Sequence, residues 1–127
     1  MKDCEHSRIN GKEVLITELG YWPEFCDAKI IELIFHPHTD VGAKLTILLH
    51  YIDMDLNRDL NVNIILHSVS DMDFNEFGVE NVIDRLSISE SNESDLFFEI
   101  DACAGLYGSC KCKMVDVELI SSKPYSE

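Results

Sequence analysis

The sequence predicts a mainly β (α+β) single domain: a curved antiparallel sheet or sandwich of about six or seven strands with one or two short helices. Three observations carry this expectation. Apolar residues alternate with period two through successive segments between Ala28 and Ile120. The connections are too short for the crossovers that parallel strands need. A chain of 127 residues suffices for one core and is too short for a second.

In chain order, Lys12–Leu19 lies between Asn10, a candidate N-cap, and Gly20, a candidate C′ residue, and fits a short helix or a strand. Trp22-Pro23 forces an extended or turning backbone. "AKIIELIFH" reads as a strand with Ile31, Leu33 and Phe35 on one face and Ile30, Glu32 and Ile34 on the other, closed by Pro37 and Gly42. Lys44–Met54 is apolar on both faces, which predicts a central strand covered on both sides. After a polar loop, "DLNRDLN", Val62, Ile64 and Leu66 alternate in "VNIILHSV". Phe74, Phe77 and Val79 are expected to bury around a short turn at "VENV" before "IDRLSIS" resumes a strand. "ESNES" is a turn, and "DLFFEIDA" sets Leu96, Phe98 and Ile100 on one face. Gly105 and Gly108 bend the chain, and "CKCKMVDVELI" completes the set as one strand. Residues 1–11 and 121–127 are expected to fray.

Charge narrows the function. Twenty-four acids face ten Lys and Arg, a formal −14, and Asp71 to Asp101 holds ten acids and one base, Arg85. Such a surface repels phosphate backbones and anionic lipid and favours a basic partner, while acidity that merely keeps a cytoplasmic protein soluble accounts for the same composition. No segment approaches the ~18 consecutive apolar residues of a membrane span. The polar start "MKDCEHSRIN" has no apolar signal core, and five cysteines are an odd count, so reduced thiols in a cytoplasm are expected.

Two clusters are candidates for metal chemistry. His36 and His38, with Asp40 and His50 across the turn, have residue types that suit zinc or iron, although a His-x-His interrupted by Pro is ordinary turn polarity. Cys110 and Cys112, joined by Cys103 or Cys26, have the wrong separation for a thiolate pair and read better as small buried side chains. Glycine-rich phosphate loops, G-x-S-x-G and H-E-x-x-H are absent, and no base is placed beside a thiol. The weight moves towards a binding protein without a cofactor.

Three ordered motifs then bear a family likeness. "YWPEFCDAKIIEL" supplies Tyr21, Trp22, Pro23, Phe25, Asp27 and Ala28, with Cys26 where a His is usual. The middle supplies Val69, Asp71, Phe77, Asn81 and Val82, and "GLYGSCKC" supplies Gly105, Leu106, Gly108, Ser109 and Cys112, with Cys110 in place of an aromatic. The chain from Tyr21 to Ile120 resembles the immunity protein 50 family of bacterial polymorphic toxin systems. That resemblance implies a protein that binds and neutralises the toxin domain made by the same cell, and no catalysis.

From clustering of charge alone, the expected contacts are Asp71, Asp73, Glu76, Glu80, Asp84, Glu90, Glu93 and Asp95. The corner residues Trp22, Pro23, Phe25 and Asp27, with Gly105 and Gly108, are expected to be structural: Trp22 and Phe25 as core anchors, Pro23 fixing the bend, Asp27 bonding backbone amides, and Cys26 as a small buried substitute. Two alternatives stand beside this reading. One is a small metal-binding protein or metal-dependent enzyme using His36 and His38, and the other is a domain that pairs with its own copy, a homodimer through exposed strand edges.

Overall fold

A computed structural model describes residues 8–91 and 94–125. Among the described residues nine strands form one mixed sheet in the order β1-β9-β4-β3-β2-β6-β7-β8-β5. They are β1 (Ile9–Asn10), β2 (Lys29–Thr39), β3 (Gly42–Asp53), β4 (Arg58–His67), β5 (Ser70–Asn75), β6 (Val82–Glu90), β7 (Leu96–Ala104), β8 (Tyr107–Cys112) and β9 (Met114–Lys123), with one helix, α1 (Lys12–Leu19). All pairings are antiparallel except β1 with β9, where Ile9 lies opposite Val115.

The count exceeds the expected six or seven for identifiable reasons. β1 is only two residues long, β5 is polar and exposed with no alternation to announce it, and "CKCKMVDVELI" breaks at Lys113 into β8 and β9. One exposed residue with no turn signature carries the chain from one half of the sheet to the other.

The sheet doubles back on itself. β2 and β6 are joined at one position, Lys29 opposite Val82. On either side of that joint, β1-β9-β4-β3-β2 and β6-β7-β8-β5 turn their apolar faces into a single core. From one half come Leu45, Ile47, Leu49, Leu60, Val62, Ile64 and Leu66; from the other come Ile83, Leu86, Ile88, Leu96, Phe98 and Ile100, all nearly or wholly inaccessible. Each such side chain contributes about 1.5–3 kcal/mol of burial, which is why alternation in the sequence reports these positions well.

Four expectations about strands and loops are corrected. In β2 a bulge at Ile31 resets the alternation, so Ile30, Leu33 and Phe35 face Leu49, Ile47 and Leu45 on one side. β3 is central but covered on one face only: Thr46, Leu48 and His50 are half-exposed on the other, and Met54 lies in the turn beyond the strand. Phe77 and Val79 do not bury; Val79 is fully exposed in the loop before β6, and only Phe74 packs against the core. The loop expected at "DLNRDLN" shortens to residues 54–57, and Leu60 is a core residue of β4.

α1 and the corner after it contribute Leu15, Leu19 and Phe25 to the core. Gly11 rather than Asn10 is the N-cap; Asn10 sits in β1 and donates to Asp116 at 2.9 Å. Gly20 ends the helix, its N–H bonded to the Ile16 carbonyl at 2.7 Å. Pro23 is buried, Trp22 packs edge-on against Phe25 at 6.0 Å, and Phe25 against Tyr51 at 5.4 Å. The Asp27 backbone N–H donates to the Ile83 carbonyl at 2.7 Å, fastening the corner to β6. Cys26, expected to be buried, is exposed. At the other terminus β9 keeps its pairing to Lys123, opposite Asp59.

Candidate functional site

The outward face of β6-β7-β8-β5 is where the chain's charge becomes organised. Register across the four strands places Ser87, Glu99, Ser109 and Asp73 in one row, with Arg85 opposite Asp101 in the next row towards the corner. Paired residues point to the same side of a sheet, and their alternates Leu86, Ile100 and Phe74 point to the core, so this row faces solvent. Asp73, Glu99 and Asp101 are exposed, as is Asp84 at the bulge of β6.

Two cations answer these acids. Arg85 lies 3.9 Å from Asp101, with both side chains more than half exposed, and Lys111 lies 3.4 Å from Asp71. Exposed pairs of this kind contribute about 0–1 kcal/mol. Asp73 and Glu99 are two strands apart, about 10 Å, roughly one Debye length at 0.1 M salt, so the acids coexist at little mutual cost. β5 is the last strand of its half, and Glu76 and Glu80 extend the negative field into the loop that follows it.

That loop is held from inside. Asn81, 5% exposed, accepts N–H bonds from Gly78 at 3.0 Å and Leu106 at 2.9 Å through Oδ1, and donates through Nδ2 to the Gly78 carbonyl at 2.9 Å. Gly105 makes this approach feasible: at φ +77° it is in the left-handed region, and a Cβ there would stand 2.3 Å from Asn81 Oδ1. Gly108 likewise lets β5 lie against β8, since a Cβ would meet the Asp73 carbonyl at 2.0 Å.

The expected contact residues separate into two groups. Asp71, Asp73, Glu76, Glu80 and Asp84 belong to the outer face or its adjoining loop. Glu90 and Asp95 lie at the opposite end of β6, about 20 Å from Asp84 along the strand, and both are engaged there. Arg8 reaches Glu90 at 3.6 Å and donates to the Ser94 carbonyl, while Lys113 pairs with Asp95. These contacts tie the starts of β1 and β9 to the β6–β7 turn. Glu93 lies outside the described residues. Glu99 and Asp101, in the row with Asp73 and beside it, were missing from the expected contacts although they alternate with core residues in "DLFFEIDA".

The ammonium of Lys113 beside Asp95 holds that carboxyl below the usual carboxylate range. Burial alone would raise Asp116, but donation from Asn10 and from His67 at 2.8 Å brings it below its ordinary value. A carboxyl depressed on folding stabilises the native state above its unfolded pKa, and the contribution disappears as pH falls through the folded value. Stability should therefore be flat with respect to these groups near neutrality and fall below about pH 4. Asp95→Asn should shrink that acid limb, as measured by urea midpoints across a pH series.

Other candidate chemistry is dispersed. His36 and His38 are exposed on β2, where His36 faces Lys44, while His50 lies opposite Lys29 at the other end of the strand and bonds Asp59 at 2.7 Å. No group of three or more metal-binding side chains converges among the described residues. Cys110 and Cys112 are buried among apolar neighbours, and burial pushes the Cys110 thiol up to about 12. Cys26 and Cys103 are exposed, and Cys4 lies outside the described residues. Tyr21 donates to Asp53 at 2.5 Å and meets the Tyr51 hydroxyl at 2.8 Å; burial first, then the bond to Asp53, raises its pKa, which keeps it protonated. A hollow of about 460 Å³ between Arg8, His67, Lys113 and Asp116 has its charges already paired. No helix among the described residues is long and apolar enough to cross a membrane.

The model of the immunity protein 50 family matches residues 11–123. The chain belongs to the immunity protein 50 family. The match takes in α1, the corner, and every strand except β1. No curated protein and no solved structure matches the chain. Within this family member, the three motifs that carry the likeness converge: Asn81, Gly105 and Leu106 meet in the loop described above, and Ile30, two residues beyond Ala28, donates its N–H to the Asn81 carbonyl at 2.8 Å.

Proposed function

We propose that this chain is a non-enzymatic, cytoplasmic immunity protein that binds a basic bacterial toxin domain and neutralises it by occlusion. The acidic outer face of β6-β7-β8-β5 is the contact surface. Family membership supports the class of function. The single observation that carries the mechanism is the exposed row containing Asp73 and Glu99, flanked by Asp101 and Asp84, on a rigid four-stranded platform. A platform of this kind presents carboxylates at fixed spacing to a cationic surface, which raises the encounter rate and excludes phosphate-bearing competitors. Asp71, Glu76 and Glu80 widen the field at its β5 margin, whereas Glu90 and Asp95 pair with Arg8 and Lys113 at the far end of β6.

The experiment is recovery of bound polypeptides from the cell's own lysate at about 50 mM and then about 500 mM salt, followed by expression of the recovered domain with and without this chain. The expected result is one basic domain, released by salt, that stops growth alone and is harmless when the chain is co-expressed. Recovery of no such domain, or of one whose toxicity the chain leaves unchanged, would overturn the proposal.

A further inference from the structure

Beyond Lys29, no other strand among the described residues meets the outer side of β2. The groups on that open edge follow from register. The Ala43 carbonyl accepts from Val69 N–H at 3.0 Å, so odd-numbered residues of β3 direct their backbone groups towards β4 and even-numbered ones towards β2. Lys44, Thr46 and Leu48 lie opposite His36, Ile34 and Glu32. Those three β2 residues therefore bond β3, and the N–H and C=O of Leu33 and Phe35 face the open side. One end of the edge is closed by Ile30, whose N–H is taken by the Asn81 carbonyl. The other end is closed by Pro37, the next outward-facing residue, which has no N–H. What remains is symmetric about Ile34.

We propose that this edge pairs with the same edge of a second copy across a two-fold axis through Ile34, giving a continuous sheet through a homodimer. Leu33 of each copy lies opposite Phe35 of the other, and each such pair exchanges two N–H···O bonds, four in all. On one face Ile34 meets its own counterpart, and Glu32 lies opposite His36, acceptor against donor. On the other face Leu33 covers Phe35. Ile34 and Phe35 are 37% and 47% exposed in the single chain, an apolar edge of the kind that proteins otherwise blunt with charge. The terminal strand β5 is ill suited: a bulge between Ser70 and Asp73 interrupts it, and Asp71 and Asp73 would confront like charges.

Charge sets a sign that distinguishes this association from toxin binding. Two bodies of −14 repel, so the dimer strengthens as salt screens them, whereas the toxin complex weakens. The inference is independent of the toxin-binding reading, because its probe is the chain alone.

The test is sedimentation equilibrium of the whole chain up to about 500 µM, a range suited to a small, transient interface, with amide exchange read at the same concentrations. The expected result is a mass rising from 14.5 kDa towards twice that value, more steeply at high salt, with the N–H groups of Leu33 and Phe35 gaining protection as concentration rises. His36→Glu places two carboxylates face to face and should weaken association at least tenfold. Glu32→His combined with His36→Glu should restore it. All these side chains are exposed, so folding is not at stake. A single species at every concentration, protection that maps to β5 instead, or a dimer indifferent to His36→Glu would overturn the proposal.

Discussion

Reversing three charges together, Asp73→Lys, Glu99→Lys and Asp101→Lys, is expected to weaken toxin-domain binding about 100-fold or more while barely moving thermal stability. Each interfacial charge reversed costs about 1 kcal/mol, a low value for close charge pairs, and about 1.4 kcal/mol corresponds to tenfold in Kd. Exposed substitutions away from special features change stability by about 0.5 kcal/mol or less, and the Arg85–Asp101 pair is open to solvent on both sides. Most of the loss should appear in the association rate, and the salt slope should flatten. Glu118→Lys, on exposed β9 in the other half of the sheet, is the control for net charge, matched against Glu99→Lys alone. Comparable loss with Glu118→Lys would make the effect a general field, and full binding by the triple variant at all salts would sink the charge mechanism.

Removing the Asn81 side chain should destabilise the fold by about 3 kcal/mol, the largest effect expected from any single polar residue here. Asn81→Ala strands the N–H groups of Gly78 and Leu106 and the carbonyl of Gly78. A buried group left without its partner costs about 1–3 kcal/mol. Leu106 is 3% exposed, so water does not readily replace its lost acceptor, whereas Gly78 is exposed and recovers part of its loss from solvent. For a chain of this size the change corresponds to about 10 °C in Tm. Gly105→Ala should act on the same joint, because its Cβ would displace Asn81 and also meets an unfavourable φ. The double variant should therefore lose less than the sum of the singles. Urea unfolding at constant m would measure all three, and a loss below about 1 kcal/mol for Asn81→Ala would show the loop to be held by other contacts.

These two sites differ in how visible they are before folding. Core positions announce themselves because burial demands alternation, so Leu45 to Leu49, Val62 to Leu66, and Leu96 to Ile100 can be read from sequence alone. The acidic face cannot be read that way. Its row joins Asp73 to Glu99 through Ser109, three residues from three strands, and only register brings them together. Clustering along the chain also collected Glu90 and Asp95, which pair with Arg8 and Lys113 at the far end of β6. The bulge at Ile31 was equally hidden, because one inserted residue reverses every later side chain while leaving the composition of β2 unchanged. Asn81 stood among the motif residues, yet its role depends on Leu106, 25 residues away. Phe77 and Val79 misled because apolarity is not burial, and their loop has no layer above it.

The position of β9 has a consequence for when the protein becomes competent. Its last strand lies between its first and its fourth, with Val115 beside Ile9 and Val117 beside Ile64. Until that strand is synthesised, β4 presents an open edge to every neighbour. At about 5–20 residues per second, 127 residues take about 6–25 s to make. Because β9 fills the gap between β1 and β4, the sheet closes only once this strand has been made. For the toxin-binding role proposed above, the amount of finished protein at the onset of toxin synthesis, rather than its rate of translation at that moment, would set the margin of protection.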